Sequence, residues 1–449
     1  MDEKILGTEN INKLFLKYTV PAVIAMVIGG SQTLIGGMIL GKYVGANALA
    51  AVNIVNPFVQ FAMAVSLIIA FGALSIIGRS LGAGQYERAQ NTFKTALIII
   101  VIFAATYGLI GFAKATTVSR WLGADVVLLD SVRTYLRIFS LFIMFHPLMI
   151  LTGFADRIVG KPQLYLQATL TMLAVNTSLS LFLIKYLGLG IQGAALASGC
   201  AFFSGFLVSV RPMFKKRYAI NVFAGHFDKS TMVPMLYNGA SEGIGAASTA
   251  LAIYLFNLEF MRRIGPSGVA AFTTIGFVVQ FGVNMIFGIA DGVSPIISYN
   301  FGHEKFSRVK GIMHKATASG LVIGVLISGV LFFGGGRLAG MFADQGDVIA
   351  MAASGGKVYA FAFLVNSFNI IHSVYFTAIG GAKESALIAF SRGMLWIVIG
   401  INIWPHTFGI TGVWLTIPVA EVMTVLLVAI LVKMRPVEKV SGAVSEFAN

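Results

Sequence analysis

The sequence predicts an all-α integral membrane protein. About twelve transmembrane helices are expected, in two six-helix bundles related by a pseudo-two-fold axis along the membrane normal. Three observations carry this. Of 449 residues, 57% are hydrophobic and 11% charged, where a soluble domain carries about 25% charged. Apolar runs recur from end to end, and a span needs about 20 such residues. A long stretch of the first half returns in the second at a fixed offset of 220. So few charges cannot cover a water-soluble surface, which excludes a soluble enzyme. The same richness in apolar residues excludes a disordered chain.

The polar opening MDEKILGTENINKLFLKY is longer than a secretory n-region, and the run after it is long enough to span. A retained first helix is expected, not a removable signal. Spans are expected near 15–40, 50–77, 93–113, 132–154, 164–186 and 193–213. After a polar stretch they resume near 234–258, 268–297, 312–334, 354–379, 385–404 and 409–432. These runs are continuous, whereas a transmembrane barrel needs alternating segments of about ten residues. His146-Pro147 marks a kink in the fourth span. The domains expected are a six-helix lobe over 1–213, a cytoplasmic linker over 214–232 and a second six-helix lobe over 233–449.

The formal net charge is +14. Sorting the 32 Lys and Arg by side of the membrane gives 22 against 10. The richer side runs from Lys4 through Lys215-Lys216-Arg217 to Lys439. Basic residues collect in cytoplasmic loops, so both termini are expected inside, and the charge reports topology, not a nucleic-acid partner. The single Cys200 forms no internal disulfide, metal site or redox motif.

The repeat pairs Gly45 onward with Gly265 onward without a gap. It matches Ala50-Ala51 to Ala270-Ala271, Gln60-Phe61 to Gln280-Phe281, and Gly72 to Gly292. It also matches Gly82 to Gly302 and Arg88 to Arg308, while Gly190 and Gly193 pair with Gly409 and Gly412 at offset 219. Six spans per repeat is an even number, so both halves enter the membrane the same way. Parallel repeats of this kind place a substrate site between the halves. Two rocking bundles suit alternating access, for which a channel has no need.

Several loop motifs carry a family resemblance. They are LGKYVGANALAAVN at 40–53, GRSLGAGQYERA at 78–89, GFADRIVGKPQLYL at 153–166, GIQGAA at 190–195 and DGVSPIISYNFG at 291–302. With these the chain resembles the multidrug and toxic compound extrusion (MATE) family, and looks closest to its bacterial MepA-like branch. The resemblance covers essentially the whole chain. It implies two six-helix lobes forming a V, in the cytoplasmic membrane of a bacterium, exporting drugs against inward H⁺ or Na⁺. Many members carry an Asp in the first helix, where this chain has Gly36. Some carry Asn and, four residues later, Asp in the fifth helix, where this chain has Asn176 and Ser180. Coupling through N-lobe acids is therefore in question, and Asn176 is expected as a polar cavity residue, not an ion ligand.

Ionisable residues inside spans are functional candidates, because burial is expensive. Glu242, Asp291, His372 and Arg392 come from four helices at comparable depth, roughly 12 Å in from the cytoplasmic face at 1.5 Å per residue. Glu421 lies nearer the bilayer centre. Glu242, Glu421, His372 and Asp291 are the ion-coupling candidates, against the alternative that they satisfy one another and pin helix ends. Arg392 cannot titrate usefully and is expected in a structural ion pair. The repeat partners of the two acids Glu242 and Asp291 are Ala22 and Phe71, so the layer is asymmetric.

Asn284 and Asn366 are candidate cavity groups, although helix–helix hydrogen bonding is a common use of such residues. The 36 Phe and 18 Met suit a cavity for flat, lipophilic cations. Phe58, Gln60, Phe277 and Gln280 are chosen from the repeat as further lining. No Walker A, HExxH or paired-carboxylate motif is present, so neither an enzyme nor an ATP-driven pump is expected. The expected energy source is an ion gradient, with no cofactor and no metal beyond the coupling H⁺ or Na⁺. A monomer in the bilayer with a drug-like substrate is the leading reading. The rival is an exporter or flippase of an endogenous lipid-linked or anionic metabolite.

Overall fold

A computed structural model describes residues 2–341 and 345–438, and all of its regular elements are helical. Lys439, counted above on the basic side, lies outside the described residues. A 3-10 turn at Asp2–Lys4 leads into the short α1 (Ile5–Thr8). Then come α2 (Ile11–Tyr43), α3 (Ala46–Gly82), α4 (Tyr86–Ala113) and the short α5 (Ala115–Trp121). They are followed by α6 (Leu129–Ser140), α7 (Phe145–Ile158), α8 (Pro162–Ser180, extended to Tyr186 by a π-helix) and α9 (Gly190–Ser209). After a connection come α10 (Lys229–Arg263), α11 (Pro266–Gly302), α12 (Phe306–Ala339) and α13 (Gly346–Ile379). The last are α14 (Ala382–Phe390), a π-helix at Ser391–Leu395, and α15 (Trp396–Met434).

Nine of these helices, and the run Ala382–Met434 as a tenth, are long and apolar enough to cross a membrane. The pair α6 and α7, bent by 43°, makes an eleventh. The bend falls at residues 141–144, just before Pro147, which lacks the N–H that would continue a helix through it. The run Ala382–Met434 has 53 residues. That is about 80 Å of helix against a hydrocarbon core of about 30 Å. At Gly409 the backbone leaves helical geometry (φ 57°, ψ −135°). Across this point the arms fold back on each other. Ser391 hydrogen-bonds Thr424 at 3.2 Å, and a Cβ at Gly400 would lie 2.9 Å from Thr416 Cγ2. A Cβ at Gly412 would fall on the Trp404 carbonyl. The run is therefore a helical hairpin of two spans, which brings the described residues to twelve.

The internal repeat is written in the backbone as well as in the side chains. Left-handed φ angles recur at offset 220, with Gly45 (108°) and Gly265 (92°), Gly84 (77°) and Glu304 (57°), and Gly160 (84°) and Gly380 (88°). At offset 219, Gly190 (52°) pairs with Gly409 (57°). Glu304 adopts the conformation of its glycine partner despite carrying a Cβ, at a cost of about 1–2 kcal/mol. A turn held at that cost in one half and by glycine in the other is a shared architecture, not chance likeness of apolar helices.

The chain divides into two compact units. The first holds the described residues up to Glu9 together with Ile24–Gly239; the second holds Asn10–Val23 and the described residues from Ala240 onward. Both α2 and α10 thus contribute their opening turns to one unit and their remainder to the other. In the first unit, the start of α10 packs on α3: a Cβ at Gly72 would fall on the Met235 carbonyl, and one at Gly239 on the Ile68 carbonyl. In the second, the start of α2 packs on α11, where a Cβ at Gly292 would lie 2.8 Å from Thr19 Cα. Gly72 and Gly292 are repeat partners, and each lets a helix backbone approach directly, as small residues do between membrane helices.

The core of the first unit joins Val55, Phe58 and Ala62 of α3 to Leu136 and Phe139 of α6. In the second unit α13 is central, with Phe363 and Phe376 fully buried, while Phe260 of α10 stacks with Phe272 of α11 and Trp414 of α15.

The connection between α9 and α10 is strapped to α4. Gln90 donates to the carbonyls of Asn221 (2.7 Å) and Ala224 (2.8 Å) and accepts from the Asn221 N–H (2.8 Å). Lys94 donates to the Val222 carbonyl at 2.8 Å, and Thr95 accepts from the Asp228 N–H at 2.9 Å. Asp228 then caps α10, accepting from the Ser230 hydroxyl (2.7 Å) and N–H (2.8 Å). The Ser230 hydroxyl holds this carboxyl below the usual carboxylate range, with the Ser230 N–H and the charges of His226 and Arg88 adding to the effect. Asp228→Ala is expected to cost about 1 kcal/mol, as for other N-caps. Because the folded value is depressed, the contribution is present at neutral pH and lost as pH falls through that value. Thermal melts of wild type and variant at pH 7 and at a pH below the usual carboxylate range would show the gap closing in strong acid.

Candidate functional site

In the second unit, the Gly409 hairpin sets residue 391 opposite 424, so Arg392 comes within reach of Glu421. Arg392 Nε donates to Glu421 Oε1 at 2.7 Å. From α13, Asn369 Nδ2 donates to Glu421 Oε2 at 2.7 Å and to its backbone carbonyl at 2.9 Å. Glu421 is buried, and Tyr359 of α13 lies within electrostatic reach of both charges.

Glu242 on α10 and Asp291 on α11 lie within electrostatic reach of each other. Glu242 is half-buried, and Asp291 is buried. Beside Glu242, the Ser241 hydroxyl meets that of Thr377 on α13 at 3.3 Å, and Thr377 meets Ser385 on α14 at 2.6 Å. Two carboxyls within electrostatic reach repel when both are ionised, which favours a shared proton or cation. His372 is buried on α13 and directs Nδ1 to the Phe368 carbonyl at 2.8 Å, with the Phe368 ring 4.0 Å from its own. Asn366, Asn369 and His372 fall at three-residue intervals, which aligns them along one side of α13. The 366/369/372 spacing was visible in the sequence, yet Asn369 went unnoticed because Asn366 was weighed singly.

In the first unit, Asn176 on α8 donates to Ser198 Oγ on α9 at 3.4 Å, and Tyr135 on α6 also hydrogen-bonds Ser198. A Cβ at Gly36 would lie 3.8 Å from Asn176 Oδ1, and Ser180 is buried one turn along α8. The positions singled out by motif therefore converge, without a carboxylate among them. Tyr135 and Ser198 escaped sequence reasoning, since neither belongs to a short motif.

The remaining lining candidates separate. Phe58 is buried and stacked on Tyr107 at 4.2 Å in the core of the first unit. Gln60 is exposed on α3, as is Gln280 on α11, and Gln280 donates to Asn284 at 2.8 Å. Phe277, 43% exposed, lines a groove of about 410 Å³ with Met261, Val269 and Thr273. Asn366 is buried on α13. Among the described residues, no group of three or more His, Cys, Asp or Glu side chains is arranged to hold a metal ion.

A family model described as MatE matches residues 21–182 and 235–401, most of both halves of the chain. The chain belongs to the MatE family. It is thus a multi-pass secondary transporter of the membrane, not an enzyme. Among curated relatives, the multidrug export protein MepA of Staphylococcus saprophyticus is 23% identical over 439 residues, covering 96% of each chain. MepA of Staphylococcus aureus is 22% identical over 435 residues, again covering 96% of each. Among solved structures, a MATE in complex with MaL6 superposes with a TM-score of 0.91 at 19% identity, covering 98% of this chain and 99% of that one. A MOP superfamily transporter from Pyrococcus furiosus, described as having a binding pocket of reversed polarity, gives a TM-score of 0.89 at 19% identity and 98% coverage of each. These MatE-type structures support the fold of the chain.

Proposed function

We propose that this chain is an antiporter that exports amphipathic, cationic drug-like molecules in exchange for H⁺ or Na⁺ by alternating access. The likeness to the MepA multidrug export proteins supports this reading. The observation that carries the reading is the acid pair Glu242 and Asp291, within electrostatic reach of each other on two spans of a chain with no nucleotide-binding motif. Such a pair exchanges a small cation with little rearrangement, and binding energy that differs between two conformations is what shifts a two-state transporter. In this reading Glu242 carries the ion, Asp291 tunes it and His372 on α13 shares the exchange. The Glu421 carboxylate, clamped by Arg392 and Asn369, is the weaker carrier because its charge is already matched.

The two six-helix lobes over 1–213 and 233–449, the cytoplasmic placement of both termini, the bacterial inner membrane and a monomeric state all belong to this proposal. Asn176, Asn284, Asn366, Gln60, Gln280, Phe58 and Phe277 remain its cavity residues, of which the buried and stacked Phe58 acts through packing. Expression in a drug-sensitive bacterial host tests it. Ethidium accumulation should fall and should recover when an uncoupler collapses the ion gradient. Unchanged accumulation at verified membrane expression would contradict the proposal and favour the endogenous-metabolite exporter.

A further inference from the structure

Asp156 lies in the last turn of α7, is 0% exposed, and neither of its carboxylate oxygens has a hydrogen-bond partner among the described residues. Its neighbour Arg157 lies within electrostatic reach but gives it no hydrogen bond. The Arg157 guanidinium stacks instead on Phe154 at 5.0 Å and Tyr165 at 4.5 Å. Helices α3, α4, α8 and α9 pack on α7. Their titratable or charged groups are Arg79 on α3, Tyr86, Glu87, Arg88, Lys94 and Tyr107 on α4, Tyr165 on α8 and Cys200 on α9. None of them gives Asp156 a hydrogen bond. Its chain neighbours Ala155 and Ile158 are buried, as are Phe154 and the Phe71 ring that meets it edge-on.

An ionised carboxylate held out of water without a hydrogen bond is far costlier than a neutral one. Asp156 is also well placed to exchange. It sits two residues from the end of α7, about 3 Å of helix rise from a loop. Glu87 and Asp130, the other acids in the spans of this unit, are exposed. Positions 36 and 180 supply no acid. We propose that Asp156 is a proton-exchanging group of the first unit, taking up and releasing a proton during the exchange cycle. The proposal rests on the antiport reading above and identifies H⁺ as a coupling ion.

The test uses the purified full chain. In detergent, ethidium addition should release protons from wild type, read with a pH indicator. In proteoliposomes, a pH gradient should drive ethidium flux. Asp156→Asn keeps the shape of the side chain and cannot exchange a proton. It is expected to cut proton release by half or more and gradient-driven flux at least tenfold, with ethidium binding retained. Asp156→Glu keeps a carboxyl in a displaced position and should move the pH midpoint of transport. Wild-type proton release and pH profile in Asp156→Asn would overturn the proposal. If that variant does not fold, an unmoved midpoint in Asp156→Glu overturns it. Absence of gradient-driven flux in wild type would instead sink the antiport reading, and this proposal with it.

Discussion

Glu242→Gln is expected to reduce gradient-driven export of a lipophilic cation to the level of empty vesicles, with membrane expression unchanged. Gln fills the same space and keeps hydrogen-bonding capacity but carries no exchangeable charge. It would leave Asp291 without the acid that now faces it. A purely structural Glu242 would predict the opposite pattern, with loss of expression and normal specific activity in whatever protein remains. Transport per folded molecule, measured after normalising to monodisperse protein, separates the two. Full specific activity in Glu242→Gln would remove it from the coupling mechanism.

Arg392→Met is expected to act on stability. It leaves Glu421 with the amide of Asn369 but no cation. Breaking a buried ion pair from one side costs about 3–5 kcal/mol, and the partial exposure of Arg392 places this case near the low end. A melting temperature well below wild type should result. Removing both charges, as Arg392→Met with Glu421→Leu, should recover much of the loss, because no uncompensated charge remains. If the double variant also transports, Glu421 is an anchor between α13 and α15. If it folds like wild type and is inactive, the ion-coupling role of Glu421 regains the lead.

Much of the fold was legible because the bilayer imposes a coarse and strict code. Continuous apolar runs gave the spans, and loop glycines gave the repeat, since a left-handed turn such as Gly160 must recur wherever the architecture recurs. The hairpin at Gly409 was anticipated as two spans by the same reasoning. The crossing of α2 and α10 between units was not legible. Hydrophobicity reports that a helix is buried and is silent on which neighbour buries it. The short α5 was missed because it lies outside any spanning run.

At the site, long-range pairing was the limit. Arg392 was expected to hold a carboxylate, yet its choice of Glu421 depended on the hairpin register. Asp156 was passed over because it sits beside Arg157 and near Lys161 in a loop-like motif, where an acid reads as solvated. Only the packing of α7 reveals that it is buried. Asp156 adds an acid within a span of the first unit to Glu242, Asp291 and Glu421 in the second. Under the Asp156 proposal, both units take part in ion exchange, through different residues.

Under the antiport proposal, substrate movement and ion movement are obligatorily linked. Counterflow in proteoliposomes holding the wild-type chain, with no imposed ion gradient, tests that linkage. Downhill ethidium entering the vesicles should drive H⁺ or Na⁺ out in proportion, read by an internal indicator and abolished in Glu242→Gln. Ethidium flux with no accompanying ion movement would contradict the account.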